Sequence, residues 1–174
     1  ESVYGDRNHE SRDDRRRLLA EVIQHNHKRK GTLIIPTFSL ERSQELLFEL
    51  DALLEGNRIP IMPIFFDSPL AIRLTDVFKQ YKNYLNETAQ KAISSGPYLF
   101  DFPGLHNTLK SDESKLIADV PGPKIVIAGS GMSTGGRVVH HERHYLPDPN
   151  NTLLLTGYQS VGTPGRLIQE GLTK

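Results

Sequence analysis

"PKIVIAGSGMSTGGRVVHHERHY", Pro123 to Tyr145, is the stretch that decides the fold. It opens on a short run of β-branched apolar residues, Ile125 to Ala128, which suits a strand covered on both faces. Eight small or flexible residues follow, Gly129 to Gly136, and then a helical pattern from Thr134 to Tyr145. A strand that feeds a glycine-rich turn and then a helix can aim backbone N–H groups at an anion, with the positive end of the helix behind them. Ser130, Ser133 and Thr134 add hydroxyls and Arg137 adds a charge. Two readings stay open from these residues alone: a phosphate cradle, or a tight strand-to-helix turn with a Ser/Thr cap. A Walker loop is excluded, because no GK[ST] follows. A side chain at Gly135 is expected to strain the turn.

The same alternation extends in both directions. Upstream, His9 to Lys30 reads as a helix with Ser11 near its start, Thr32 to Phe38 as a buried strand, and Ser39 to Asn57 as an amphipathic helix that Ser39 caps and Gly56 stops. Ile59 to Asp67 reads as a strand, where Pro60 and Pro63 argue for an edge position or a short pairing. Ser68 to Leu85 is a helix with Ser68 as cap and Pro69 in its first turn. Short helices are expected at Asn86 to Ser94 and Asp112 to Val120, and a short strand near Tyr98. Downstream, Asn151 to Tyr158 is a strand and Gly162 onward starts a helix. Strand, helix, strand, helix implies an α/β fold: a Rossmann-like parallel sheet flanked by helices on both faces. Its ligands belong beyond the carboxyl ends of the strands. Four loops fall there: Thr37–Arg42, Asp67–Leu70, Ser130–Arg137 and Tyr158–Gly165.

The bulk numbers exclude more than they assign. The chain has 174 residues, hydrophobic 37%, charged 24%, Lys plus Arg 21 and Asp plus Glu 21. Net charge therefore names no partner; a nucleic-acid site has to come from local clustering. Cysteine is absent, which removes disulfides, thiolate catalysis and Cys-type zinc sites and makes the cytoplasm the expected compartment. No apolar run approaches the ~18 residues of a membrane span, and no signal peptide is visible. Both ends read as cuts from a longer polypeptide.

The histidine run invites a metal reading. His140 and His144 share one helix face, and His141 lies about 100° round from His140. A zincin would place Glu directly after the first histidine of the spaced pair, where this chain has His141; no third ligand is evident, so no metal is assigned. Arg42, at a helix start, is opposed by the helix dipole and suits either a phosphate or a pair with Glu45. For Asp67 in "DSP" the helix-cap reading is preferred over a ligand-facing carboxylate. GxGxxG and an acidic residue about 20 positions later are both missing, against a dinucleotide-using Rossmann transferase.

Taken together, "ESVYGDRNHE", "PTFSLERSQELL", "FFDSPLA", "GSGMSTGGRVVHHERHYLPDPNN" and "TGYQSVGTPGRLI" resemble the β-CASP domain of RNA-processing metallo-β-lactamase nucleases, bacterial and archaeal members above all. The resemblance spans residues 1–174 and implies a domain that clamps RNA, or another single-stranded nucleic acid, over two zinc ions. Those ions sit in a metallo-β-lactamase domain whose HxHxDH motif this chain lacks, so the chain alone is expected to be catalytically silent and zinc-free. The resemblance assigns phosphate contacts to Ser130, Gly131, Met132, Ser133, Gly135, Gly136 and Arg137, with Arg42 next. It gives Glu1 a supporting role toward a catalytic histidine that is not in the chain, and makes His140 and His141 cleft-side or structural residues. The alternative is a stand-alone phosphate- or nucleotide-binding domain without enzymatic activity.

Overall fold

The computed structural model describes residues 4–6, 8–87, 89–91 and 100–172. Five parallel strands form one sheet in the order β3-β2-β4-β1-β5. They are β1 (Thr32–Pro36), β2 (Ile64–Asp67), β3 (Leu105–Asn107), β4 (Lys124–Ala128) and β5 (Thr152–Leu153). The α-helices bounded within the described residues are α1 (Arg12–Lys28), α2 (Arg42–Glu55), α3 (Pro69–Gln80), α4 (Ser111–Leu116), α5 (Arg137–Tyr145) and α6 (Pro164–Gln169). No helix among the described residues is long and apolar enough to cross a membrane.

Side-chain alternation sorts the two faces. Leu33 and Ile35 of β1, Ile64 and Phe66 of β2, and Ile125 and Ile127 of β4 pack with Ile23, Leu47 and Leu50 of α1 and α2. Ile34 and Ala128 point the other way and pack with Val138 and Tyr145 of α5. β1 and β4 are buried throughout, which is why they read as unbroken apolar runs. Each fully buried Leu or Ile here contributes roughly 1.5–3 kcal/mol over its exposed state.

The register sets the height of the functional edge. Pro36 and Asp67 both stand opposite Ala128 in the ladders. Three strands therefore end level, and their following loops open on the same side. The end of α5 is tied back by Asn151, whose Oδ1 accepts from Thr32 N (2.6 Å) and whose Nδ2 donates to Tyr145 O (2.7 Å).

Several element boundaries differ from expectation, for local reasons. Pro60 and Pro63 precede β2, which is an interior strand between β3 and β4 and not an edge; of the two expectations the short pairing holds, over four residues. α2 starts at Arg42, not at Ser39, because Glu41 takes φ 62 and breaks the turn ahead of it. α3 stops at Gln80, and a 3-10 turn covers Lys82–Tyr84. Only Thr152 and Leu153 of the expected last strand join the ladder. β3 was not foreseen. The strand proposed near Tyr98 falls mostly outside the described residues, and Phe100 just beyond it lies in a turn at φ 58.

At the opposite end of β4, Lys124 is 2% exposed. Its Nζ donates to Ile117 O (2.7 Å) and Val120 O and lies 4.8 Å from the centre of the Tyr145 ring. Burial pushes its pKa down from 10.5 to about 8, against a smaller upward pull from Asp119. The unfolded chain then binds this proton more tightly than the folded one, so stability rises as pH climbs from about 8 toward 10.5. Denaturant unfolding between pH 8 and 10 should show that rise in the native protein and a flatter profile in Lys124→Met.

Candidate nucleic-acid interface

The loop after β4 is built as a closed turn. Val138 N donates to Gly129 O (3.0 Å), Ser130 N to Gly135 O (3.2 Å) and Ser133 N to Ser130 O (3.2 Å). Ser130 Oγ accepts from Thr134 N (3.1 Å) and hydrogen-bonds Thr134 Oγ1 (2.9 Å). Ser133 sits at φ 56 and Gly136 at φ 73, so the backbone cannot enter a helix at Thr134; α5 starts at Arg137 with Gly136 as its cap. A Cβ on Gly136 would lie 2.6 Å from Gly129 O, and one on Gly131 would lie 2.7 Å from Phe38 Cδ2. A Cβ on Gly135 would meet nothing within 4 Å. The strain expected at Gly135 thus belongs to its neighbour, and Gly135 is open.

The other loops close on this one. Gln159 Nε2 donates to Gly131 O (3.0 Å), and Gly165 N to Met132 O (3.0 Å). The loop before α2 is fixed by Ser43 Oγ, 2.6 Å from Phe38 O, and by Gln44 Nε2, 3.1 Å from Ser39 O.

What holds the loop against the sheet is Asp67. It is the last residue of β2, and alternation with Phe66 turns it toward α5. Its side chain is 0% exposed. Oδ1 accepts from Arg137 Nη1 (2.6 Å) and Thr108 Oγ1 (2.6 Å); Oδ2 accepts from His141 Nε2 (2.7 Å) and Ser114 Oγ (2.6 Å). Burial alone pushes this carboxyl's pKa up, but the donors from His141, Ser114, Thr108 and Arg137 together outweigh it and hold the pKa at about 2. Ser68 caps α3 as expected, accepting from Ala71 N (3.4 Å), and Asp67 takes no part in the cap: its carboxylate is committed to these four donors. Thr108 and Ser114 escaped the motif reading, as did the pairing of Asp67 with His141 and Arg137. One signal was present, since Val138, His141, Glu142 and Tyr145 form a single buried helical stripe.

Arg137 is bound on one side and open on the other. Besides Asp67, it donates to Thr108 O (2.9 Å) and, through Nη2, to Leu109 O (3.0 Å), and its side chain is 21% exposed. Among the described residues, the N–H groups of Gly135, Gly136 and Arg137 meet no acceptor. Ser133, Thr134, Gly135 and Gly136 line a cleft of about 810 Å³ with His140 and Arg143 of α5 and Pro164 of α6. Inside that wall Glu142 accepts from Ser133 Oγ (2.5 Å); burial raises its pKa, opposed by Ser133 and His141. Arg42 pairs with Glu45 at 2.6 Å on the exposed start of α2. Glu1 lies outside the described residues. His140 and His144 are exposed, and His141 is committed to Asp67. No group of three or more His, Asp or Glu among the described residues is placed to hold a metal ion. The donor set does not fit a metal centre.

A parallel α/β domain whose switch-edge loops close around a glycine-rich turn, pinned by a buried carboxylate, is the class this geometry defines. The chain belongs to the Beta-Casp domain family, whose model matches residues 43–168. It is 38% identical to Ribonuclease TTHA0252 of Thermus thermophilus, over 97% of this chain and 38% of that protein. It is 33% identical to Endoribonuclease ysh1 of Schizosaccharomyces pombe, over 97% of this chain and 22% of that protein. It is 32% identical to Transcription termination factor FttA of Methanosarcina mazei, over 98% of this chain and 27% of that protein. The eukaryotic and archaeal relatives thus match about equally well, and the chain spans no more than 38% of the length of these three.

Two expectations follow for stability. Asp67→Asn removes a buried charge partner of Arg137 and should cost about 3–5 kcal/mol at neutral pH. Because the folded pKa lies below the ordinary value of 3.8, ionised Asp67 stabilises the fold above that pH and loses its effect as pH falls toward about 2. The lost share is on the order of 2 kcal/mol. Denaturant titrations at pH 7, 4 and 2.5 should show native protein and variant converging at the acid end. For the turn, Gly136→Ala should lower the melting temperature clearly, whereas Gly135→Ala should leave it nearly unchanged.

Proposed function

We propose that this chain is the RNA-clamping domain of a larger RNA-processing nuclease, with the cleft beside the Ser130–Arg137 loop as its phosphate-binding wall. The observation that carries the reading is the row of three acceptor-free N–H groups, Gly135 to Arg137, at the positive end of α5, with Gly135 and Gly136 lining an open cleft. Ser130, Gly131, Met132 and Ser133 shape the loop behind them. Arg137 brings the part of its guanidinium fork that Asp67 and the two carbonyls leave free. Arg42 is the next contact along the edge, met only by a strand that runs on past the loop.

In this reading the domain binds and orients, and catalysis depends on that positioning as much as on the reacting groups. The two zinc ions implied by the family belong to a metallo-β-lactamase domain elsewhere in the polypeptide, and Glu1 supports a catalytic residue there. The names of the relatives, two nucleases and a transcription termination factor, favour this over a stand-alone nucleotide-binding domain. A cytoplasmic setting accords with the absence of cysteine.

The direct test is Gly135→Val, whose side chain enters open space and covers the N–H row without strain on the turn. Melting should stay native. Affinity for a short single-stranded RNA should fall about tenfold or more, the worth of hydrogen bonds to a charged group. Native affinity in the folded variant would show that the loop is structural only.

A further inference from the structure

We infer that a second nucleotide subsite lies between the starts of α1 and α2 and receives the single strand as it leaves the loop after β4. This rests on the reading of that loop as a phosphate wall.

A groove of about 320 Å³ opens there, rimmed by Arg12, Arg15, Arg16 and Arg42 and floored by apolar residues that include Leu19 and Leu154. That volume falls at the small end of the ~300–1,000 Å³ typical of ligand pockets, a size for one nucleotide. Its electrostatics are unusual. Arg12 is the first residue of α1 and Arg42 the first of α2, so both stand at the positive ends of their helices, where a cation is unfavourable. Two glutamates line the groove against these four arginines. Glu49 is shared by Arg12 (2.9 Å) and Arg16 (2.5 Å), and Glu45 takes Arg42. Arg15 has no acidic partner among the described residues and is exposed. Four arginines against two glutamates leave a net of two positive charges on the groove wall.

The floor selects what kind of anion fits. Leu19 and Leu154 pack against the core from the groove side and give a flat apolar seat, which suits a base better than a bare phosphate. Thr156 lines the same groove beside Leu154 and Leu155.

The groove is also connected to the loop. Phe38 lies against Gly131, and Arg42 follows it by four residues; Gln159 holds Gly131 O, and Thr156 precedes it by three. Segments that short span at most about 14 Å, so the groove lies within a few nucleotides of the loop at Gly131. Phe38 itself is 46% exposed between them, an aromatic face along the path.

The test compares labelled oligouridines, a trinucleotide too short to reach beyond the loop and a decanucleotide that fills both places. Arg15→Ala combined with Arg42→Ala changes exposed side chains and should keep the native melting curve. It should flatten the salt dependence of decanucleotide binding by about 1.4, at about 0.7 per lost phosphate contact, and leave the trinucleotide unaffected. Gly135→Val should weaken both oligonucleotides. Unchanged decanucleotide affinity and slope in the arginine double variant, with Gly135→Val still damaging, would overturn the groove and leave the loop standing. If neither variant alters binding, both fall. If an acidic peptide binds in a manner that needs Arg15 and Arg42 while the decanucleotide does not, the groove is a protein-docking site and the proposal is wrong.

Discussion

The carboxylate of Asp67 is the constraint around which the candidate site is organised. A charge with no exposed surface is tolerable only when every lone-pair direction meets a donor. Four donors do so here, from the residue after β3, from α4 and from α5. In meeting that demand they fix three otherwise separate pieces of chain to the end of β2. The position of α5 follows from it, and so does the path of the loop that must join β4 to α5.

That loop then has little freedom. Ser133 is held inward by Glu142, Gly136 turns the chain at φ 73, and Gly131 is pressed against Phe38. Thr134 and Gly136 are left exposed, and Gly135 and Arg137 partly so. A preorganised row of donors loses little entropy when it meets an anion, which suits the role proposed for the loop. The arginine groove between α1 and α2 extends the same edge. One side of the sheet thus gathers the features suited to a single strand, while the opposite end holds Lys124 and the structural anchor of Asn151.

The layers of the fold were legible because their causes are local. β1 and β4 are covered on both faces and are apolar from end to end; Ser11, Ser68 and Thr163 cap their helices as hydroxyl side chains do. The four edge loops were placed correctly for the same reason. β3 was hidden by its shortness and half-exposed residues, which leave no pattern to read. The start of α2 was misplaced because a non-glycine residue, Glu41, accepts a left-handed conformation. Of the site, the small-residue loop was visible and its anchor was not. The partners of Asp67 lie 41 to 74 residues away in the chain, a juxtaposition made by sheet order and not by any spacing a motif could carry.

The central claim is that Asp67 holds the N–H row in place for an anion. Amide chemical-shift titration with a uridine trinucleotide tests it most directly, in the native protein and in Asp67→Asn under conditions where both are folded. The account predicts shifts centred on Gly135, Gly136 and Arg137 in the native protein and their loss or strong weakening in the variant. Shifts centred elsewhere, or an identical response at those three amides in Asp67→Asn, would contradict it.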